Sequence, residues 1–331
     1  MAPPAQIAVL IVTWNPGEEL MAAVASAMNQ LTDDGQVIIW DNASDPSCEP
    51  LFERLLLTFP AGLSIHRSTE NLGFAGGNNA AALHASEADY LLLLNPDAAL
   101  QPGCLDEMVT VIRAQPDAAA VGCTQLDGAG QAIDGLGDVY HASGHAWRQG
   151  HGKPVDAGLP GEPVSPSFGP CGAVSLYRAT AFRDAGGFDA DFFCFFEDVD
   201  LAFRLRLLGW RFYQANRAIA HHIGGTSATP GSPMAAYYGH RNMTLTFLKD
   251  MPICLLIAML PLHLLVSAGA LLRYSLRGQP GVILRAKRDA VTALPSILAK
   301  RSELMRKRVA GTAQIWRWLD KSPLARARLG I

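Results

Sequence analysis

Glu197, Asp198 and Asp200 place three carboxyl groups within four residues, directly behind the aromatic run Phe192-Phe193-Cys194-Phe195-Phe196. An aromatic wall strips water from a carboxylate and raises its pKa, as a general base working near neutrality requires. Acids at a helix start also complement the helix dipole without doing chemistry. Asn95-Pro96-Asp97 follows the apolar stretch Tyr90–Leu94. A lone carboxylate leaving a buried strand can hold a hard divalent cation against a diphosphate, because Mg2+ often keeps only one or two protein carboxylates. Trp40-Asp41-Asn42-Ala43-Ser44 offers another isolated carboxylate. It suits a nucleobase imide or a ribose, although capping is the plainer role for such residues.

Three glycines fall within five residues of Asn71-Leu72-Gly73-Phe74-Ala75-Gly76-Gly77-Asn78-Asn79. They let backbone approach a ligand closely, and a helix starting beyond them favours anions. The stretch is neither GxGxxG nor a P-loop. Thr13-Trp14-Asn15-Pro16 ends the first apolar run, at the rim where open α/β sheets bind ligands. His221-His222-Ile223-Gly224-Gly225-Thr226-Ser227 offers a metal ligand or phosphate contact. Adjacent strand residues face opposite ways, so at most one of the two His side chains reaches a shared site. Arg241 is placed either for a diphosphate or for an exposed ion pair. His141, His145 and His151 lack zinc-ligand spacing and read as surface residues.

Elements must carry these groups to one place. Residues 7–13 (IAVLIVT) form a continuous β-branched run, the pattern of a strand buried on both faces. A helix over 17–30 follows, then strand 37–41, helix 49–58, strand 63–67, helix 77–86, strand 90–95, helix 104–113 and strand 119–124. Strands alternating with helices at this spacing predict βαβ units and a parallel sheet with ligands at the strands' carboxyl ends. Residues 128–166 are rich in Gly, His and Pro and read as loops with short strands. Strand 168–177, helix 197–208 and strand 211–215 complete the body.

At 331 residues the chain is long enough for a large core. Its 49% hydrophobic and 17% charged content excludes a disordered or fibrous chain. Net charge is -3, unevenly spread: residues 273–331 carry 14 Lys/Arg against 3 Asp/Glu (+11), and the rest 13 against 27 (-14). The 22 residues 251–272 carry no formal charge, interrupted by Pro252, Pro261 and His263. That length matches a bilayer span, but a span would separate the acidic body from the basic tail. A segment lying in or dipping into the membrane surface, followed by basic helices on anionic headgroups, fits better. Six scattered cysteines without a CxxC pair and an N-terminus without signal character point to a reducing cytoplasmic setting.

Taken in order, TWN at 13–15, DNAS at 41–44, NLGFAGGNN at 71–79, NPD at 95–97, GPCGAVSLYR at 169–178, GGFDADFFCFFEDVDLAFRL at 186–205 and HIGGTS at 222–227 resemble a family 2 glycosyltransferase of rhamnosyltransferase-like type. The resemblance spans roughly 5–250. It implies a GT-A fold, an α/β, Rossmann-like and mostly parallel sheet flanked by helices. The catalytic domain would be 1–250, with a nucleotide-sugar half at about 1–125 and an acceptor half at about 126–250. Residues 251–331 would form a membrane-associated helical region, and deleting them would leave a soluble nucleotide-sugar binder.

The implied reaction is inverting transfer from a nucleotide sugar, with Mg2+ or Mn2+, to a hydroxyl of a lipid-linked or glycan acceptor in cell-envelope synthesis. Rhamnose from dTDP-rhamnose is the sugar the branch suggests. Thr13, Asn15, Asp41 and Asn42 match nucleotide-binding positions. Gly73, Phe74 and Asn78 match the loop near base and diphosphate, with Asn95 and Arg241 also facing the donor. Asp97 matches the metal-binding element, and Asn95 replaces the first Asp found in many relatives. Asp198 matches the general base, Glu197 an orienting acid, and His222 a metal or diphosphate contact, with His221 as its alternative. The implied location is cytoplasmic, peripheral on the cytoplasmic face of the inner membrane, with a homodimer among the open states. Two other classes fit less well. A nucleotide-dependent oxidoreductase lacks its GxGxxG after the first strand. The uncharged segment beside the basic tail points to lipid and away from nucleic acid.

Overall fold

The continuous apolar run at the N-terminus forms β1 (Ile7–Thr13), in which every residue after Ile7 is buried. The structure, a computed structural model, describes residues 6–224 and 232–323. β1 leads to α1 (Glu19–Met28), β2 (Gln36–Asp41), α2 (Glu49–Thr58), β3 (Leu63–Arg67), α3 (Gly73–Ala82), β4 (Tyr90–Leu94), β5 (Ala98–Leu100), α4 (Cys104–Ala114) and β6 (Ala118–Asp127). Strands β3, β2, β1 and β4 lie side by side and parallel. Thr13 pairs with Asp41 and Leu10 with Leu93, so the chain leaves three strands at one rim with 13–15, 41–44 and 95–97 in adjacent loops.

The second half supplies β7 (Ile133–Gly135), β8 (Asp138–Tyr140), β9 (Ala146–Arg148), α5 (Val155–Gly158), β10 (Val164–Pro166), β11 (Val174–Arg178), α6 (Ala179–Asp184), α7 (Glu197–Leu207) and β12 (Arg211–His222). Here the sheet is mixed. β11 inserts antiparallel between β4 and β6, and β12 runs parallel to β6. β12 pairs in two stretches, with an irregularity between Ala215 and Ile219, and its far end pairs with β5. That bend carries His222 over the loop after β4. Helices α8 (Pro233–Asp250), α9 (Ile253–Leu276), α10 (Pro280–Thr292), α11 (Leu294–Lys307) and α12 (Thr312–Trp318) complete the chain. They fold back on the body: Leu304, Ala310, Ile315 and Leu319 are buried in one cluster with Phe203, Phe212 and Phe247.

Several boundaries differ from the sequence reading. The helix expected from residue 77 starts at Gly73, because α3 packs so closely on the sheet that a Cβ at Gly77 would lie 2.6 Å from Val12. Helix propensity disfavours glycine, but close packing overrides it here. The strand expected over 168–177 begins only at Val174, since Pro170 has no N–H to donate and Gly172 turns toward α7. β6 and β12 run past 124 and 215 to Asp127 and His222. His141, expected at the surface, is buried: its Nε2 contacts the Ser322 carbonyl at 3.0 Å, where the C-terminal segment crosses.

Candidate active site

The rim of the parallel strands is tied together by its own polar side chains. Asn15 sits at φ 50. Its N–H donates to Ser44 Oγ (2.8 Å), and its Oδ1 accepts from Asp45 N (2.7 Å). Asn42 accepts from Trp40 Nε1 (3.1 Å) and donates to the Gly73 carbonyl (2.9 Å). Asn78 is buried and donates to the Phe74 carbonyl of its own helix (3.0 Å). These three amides hold the rim in shape. Asp41, 5% exposed, accepts from Ser44 N (3.0 Å), and the buried Thr13 hydroxyl has no hydrogen-bond partner among the described residues.

Gly73 is at φ +70, and a Cβ there would fall 2.4 Å from the Phe193 carbonyl oxygen. Ala75 N donates to that oxygen (3.1 Å). Gly73 therefore serves a close approach of protein to protein, and α3 starts within the motif itself. Phe74 stacks edge-on against Phe188, with ring centroids 5.7 Å apart.

The aromatic run before α7 is held in an unusual backbone. Phe193, Phe195 and Phe196 have φ of 63, 64 and 68. Bulky residues rarely adopt this left-handed region, and such strain persists only where the surroundings enforce it. Asn242, fully buried in α8, does so: its Nδ2 donates to the carbonyls of Phe192, Cys194 and Phe195 at 2.9, 3.0 and 2.7 Å. Arg241 Nη1 donates nearby to the Asp191 carbonyl (2.8 Å) and Asn242 Oδ1 (2.9 Å).

The run delivers Glu197 and Asp198 to the first turn of α7. Asp198 is partly buried and accepts from Gly172 N (3.0 Å) and Val199 N (2.8 Å). Burial raises its pKa, and these N–H groups oppose that. Glu197 is 7% exposed, its Oε2 has no partner among the described residues, and burial followed by the Asp198 charge pushes its pKa well up. Asp200 turns away to Lys249 and Arg204. Asp138 on β8, missed in the sequence, is also buried and pushed well up, by burial first and then by the Asp198 charge.

The expected metal carboxylate meets the expected histidine. His222 Nε2 lies 3.3 Å from Asp97 Oδ1, and its Nδ1 lies 2.9 Å from Asp134 Oδ2. Arg148 pairs with Asp134 behind it. Burial alone would lower the His222 pKa, but hydrogen bonds to Asp134 and Asp97 prevail and raise it to about 9. His221 faces the other way, toward the Asp127 carbonyl (3.1 Å). Gly225, Thr226 and Ser227 of the same motif lie outside the described residues. Asn95 Nδ2 is 3.4 Å from His222 Nε2, and its buried Oδ1 has no partner among the described residues. Among the described residues no group of three or more His, Cys, Asp or Glu is placed to hold a metal. Asp97 Oδ1 and His222 Nε2, 3.3 Å apart beside the Asn95 carbonyl oxygen, could serve as two protein ligands of a cation that keeps water and phosphate as its others, once the imidazole has given up the proton it shares with Asp97.

The two halves meet at Gly172-Ala173. Gly172 N binds Asp198, and the Ala173 carbonyl accepts from Asn95 N (2.8 Å). Asp41 joins through Asn42, Gly73 and Phe193. Residues 41, 97 and 198, far apart in sequence, thus border one edge of the sheet. Asp134, Asp138 and Arg148 had no sequence signal beyond the Gly-rich stretch that holds them, and Asn242 only its place beside Arg241.

The family model for "Glycosyltransferase like family 2" matches residues 3–241. N-acetylglucosaminyl-diphospho-decaprenol L-rhamnosyltransferase of Mycobacterium tuberculosis is 29% identical over 265 residues, which is 73% of this chain and 83% of that protein. O-antigen biosynthesis protein RfbC of Myxococcus xanthus is 32% identical over 177 residues, 49% of this chain but only 13% of that one. A mannosyltransferase from Pyrobaculum calidifontis, solved with GDP-Man and Mn2+, superposes with TM-score 0.56 at 16% identity over 96% of this chain and 88% of its own. GalNAc-T7, solved with UDP, GalNAc and Mn2+, gives TM-score 0.60 at 14% identity over 75% of this chain. This chain spans about half of that protein (48%). The fold is GT-A, and the chain belongs to glycosyltransferase family 2 as a sugar-transferring enzyme.

Proposed function

We propose that this enzyme moves L-rhamnose from dTDP-rhamnose, with inversion, to a hydroxyl of a lipid-linked acceptor in cell-envelope glycan synthesis. The observation that carries the chemistry is the state of the carboxyls around Asp198. Inversion needs one base and no carboxylate nucleophile. Glu197 and Asp138 are buried and pushed toward the neutral form. Asp198 is the more exposed, and two N–H groups stabilise its charged form. It is the group able to take the acceptor's proton. The M. tuberculosis relative's name supports the sugar and the lipid-diphosphate acceptor.

Asp97 and His222, with Asn95 beside them, would hold Mg2+ or Mn2+, and Asp134 would orient the imidazole. The cation would offset charge on the leaving diphosphate. Thr13 and Asp41 would contact the nucleoside. Two structural neighbours were solved with Mn2+, in line with this reading. The basic, apolar 251–331 region would hold the enzyme peripherally at the cytoplasmic face of the inner membrane.

A hydrolysis screen across nucleotide sugars tests the donor without knowing the acceptor. dTDP-rhamnose should turn over fastest; preference for another donor would overturn the sugar and leave the base assignment standing. Asp97→Ala is expected to weaken Mn2+-stimulated nucleotide binding at least about tenfold by calorimetry, with metal-free affinity unchanged. An unaltered Mn2+ response would remove Asp97 from the cation site.

A further inference from the structure

α9 is long and apolar enough to cross a bilayer, about 36 Å at the usual helical rise. Its two faces differ. One is fastened to the catalytic body from end to end. Leu255, Leu256 and Met259 pack on the main core cluster near its start. At mid-helix His263, 3% exposed, donates from Nδ1 to the Ser143 carbonyl (2.8 Å) and stacks on Phe247 of α8, ring centroids 4.2 Å apart. Near its end the buried Tyr274 meets His240 edge-on at 5.8 Å. The opposite face exposes Ile257, Leu260, Leu264, Leu265, Leu272 and Leu276.

A helix on a protein surface normally turns charge to water. This one has none on its outer face from Ile253 to Leu272. Nor can it thread a bilayer while so fastened, because His263 would carry the irregular loop at Ser143 and the α8 residue Phe247 into hydrocarbon with it, where lipid-exposed irregular backbone does not occur. Arg277 follows directly, and Arg285 and Arg288 are exposed on α10, which packs against both α8 and α9. The +11 balance of 273–331 against -14 for the remainder directs the basic end to an anionic surface and the acidic body away from it.

We infer that α9 docks flat on an anionic bilayer as an interfacial helix and does not span it, with His263 as the latch that fixes its apolar face outward. This rests on the membrane-associating reading above. It also sets the active-site body beside the headgroups, where a lipid-linked acceptor carries its diphosphate.

The full-length protein is to be floated with vesicles of phosphatidylcholine alone or with added phosphatidylglycerol, and the bound fraction washed with alkaline carbonate. Flotation with the anionic vesicles and release by carbonate are expected. The double variant Leu264→Glu, Leu265→Glu changes two exposed side chains and should float at least about tenfold less, with nucleotide affinity and melting temperature unchanged. Resistance to carbonate would overturn flat docking while leaving membrane association intact. Undiminished flotation of the variant would overturn the α9 face as the contact. No flotation of the parent protein with either vesicle would overturn both readings.

Discussion

Asp198→Asn is expected to lower sugar transfer by about a thousandfold, within the usual range for a removed general base, with nucleotide affinity unchanged. The substitution keeps size and removes basicity. Gly172 N–H fixes one carboxylate oxygen at 3.0 Å, and a Cβ at Gly172 would come within 2.9 Å of it, so the backbone there is shaped around this side chain. Steady-state kinetics and calorimetry of the same preparation separate the two effects. A kcat within tenfold of the parent would end the assignment. The pH profile gives a second check. A base acts when deprotonated, so a raised pKa places the acidic limb above the ordinary carboxylate value of ~3.9. Activity should fall as pH drops through that raised value, and the residual activity of the Asn variant should lack the limb.

The geometry behind this depends on strain held in place from outside the motif. Three aromatic residues in left-handed backbone aim the first turn of α7 at Gly172, and one buried amide, Asn242, collects the three carbonyls they turn inward. Helix α8 thereby presets Asp198, the proposed base, from outside the motif.

What could be read from residues alone follows from this. Strand ends were legible because β1, β2 and β4 are buried and apolar, and the residues proposed for the donor and the cation, Thr13, Asp41 and Asp97, stand where that pattern stops. The acids at 197–198 were legible because their aromatic flank is local. Asp134, Asp138 and Arg148 were not, since they lie in a stretch without periodicity and acquire neighbours only when β7 pairs with β6 and β8 with β9. Glycine serves close packing and ligand approach equally, and the packing at 71–79, Gly73 against the Phe193 carbonyl and Gly77 against Val12, has no signature in the local sequence because both partners lie far away in the chain. Asp200 shares the acidic cluster's spacing, yet it lies two residues past Asp198, about 200° round the helix, and so faces a different network.

That network carries the second large effect. Lys249 Nζ sits 2.6 Å from both Asp189 and Asp200, 4.7 Å from the Phe192 ring, and is 1% exposed. Arg204 pairs with Asp200 at 2.8 Å, and Lys300 of α11 with Asp189 at 2.5 Å. Lys249→Met keeps the apolar stem but leaves carboxylates buried with too little positive charge, which costs about 3–5 kcal/mol. Urea denaturation should show that loss; under about 1 kcal/mol would mean the pair is not stabilising. Burial alone would raise the Asp189 pKa, but Lys249 and Lys300 hold it below the usual range. Its contribution is therefore complete above ~4 and disappears as pH falls below that, so acid should destabilise the parent more than the variant. Because Lys300 reaches this site from the C-terminal helices, and Leu304, Ile315 and Leu319 are buried in the main core, truncation after residue 250 should yield an unfolded or aggregating chain instead of the soluble nucleotide-sugar binder first expected. The strained aromatic run starts at Phe192, against Lys249, so loosening the network should also slow turnover in protein that remains folded.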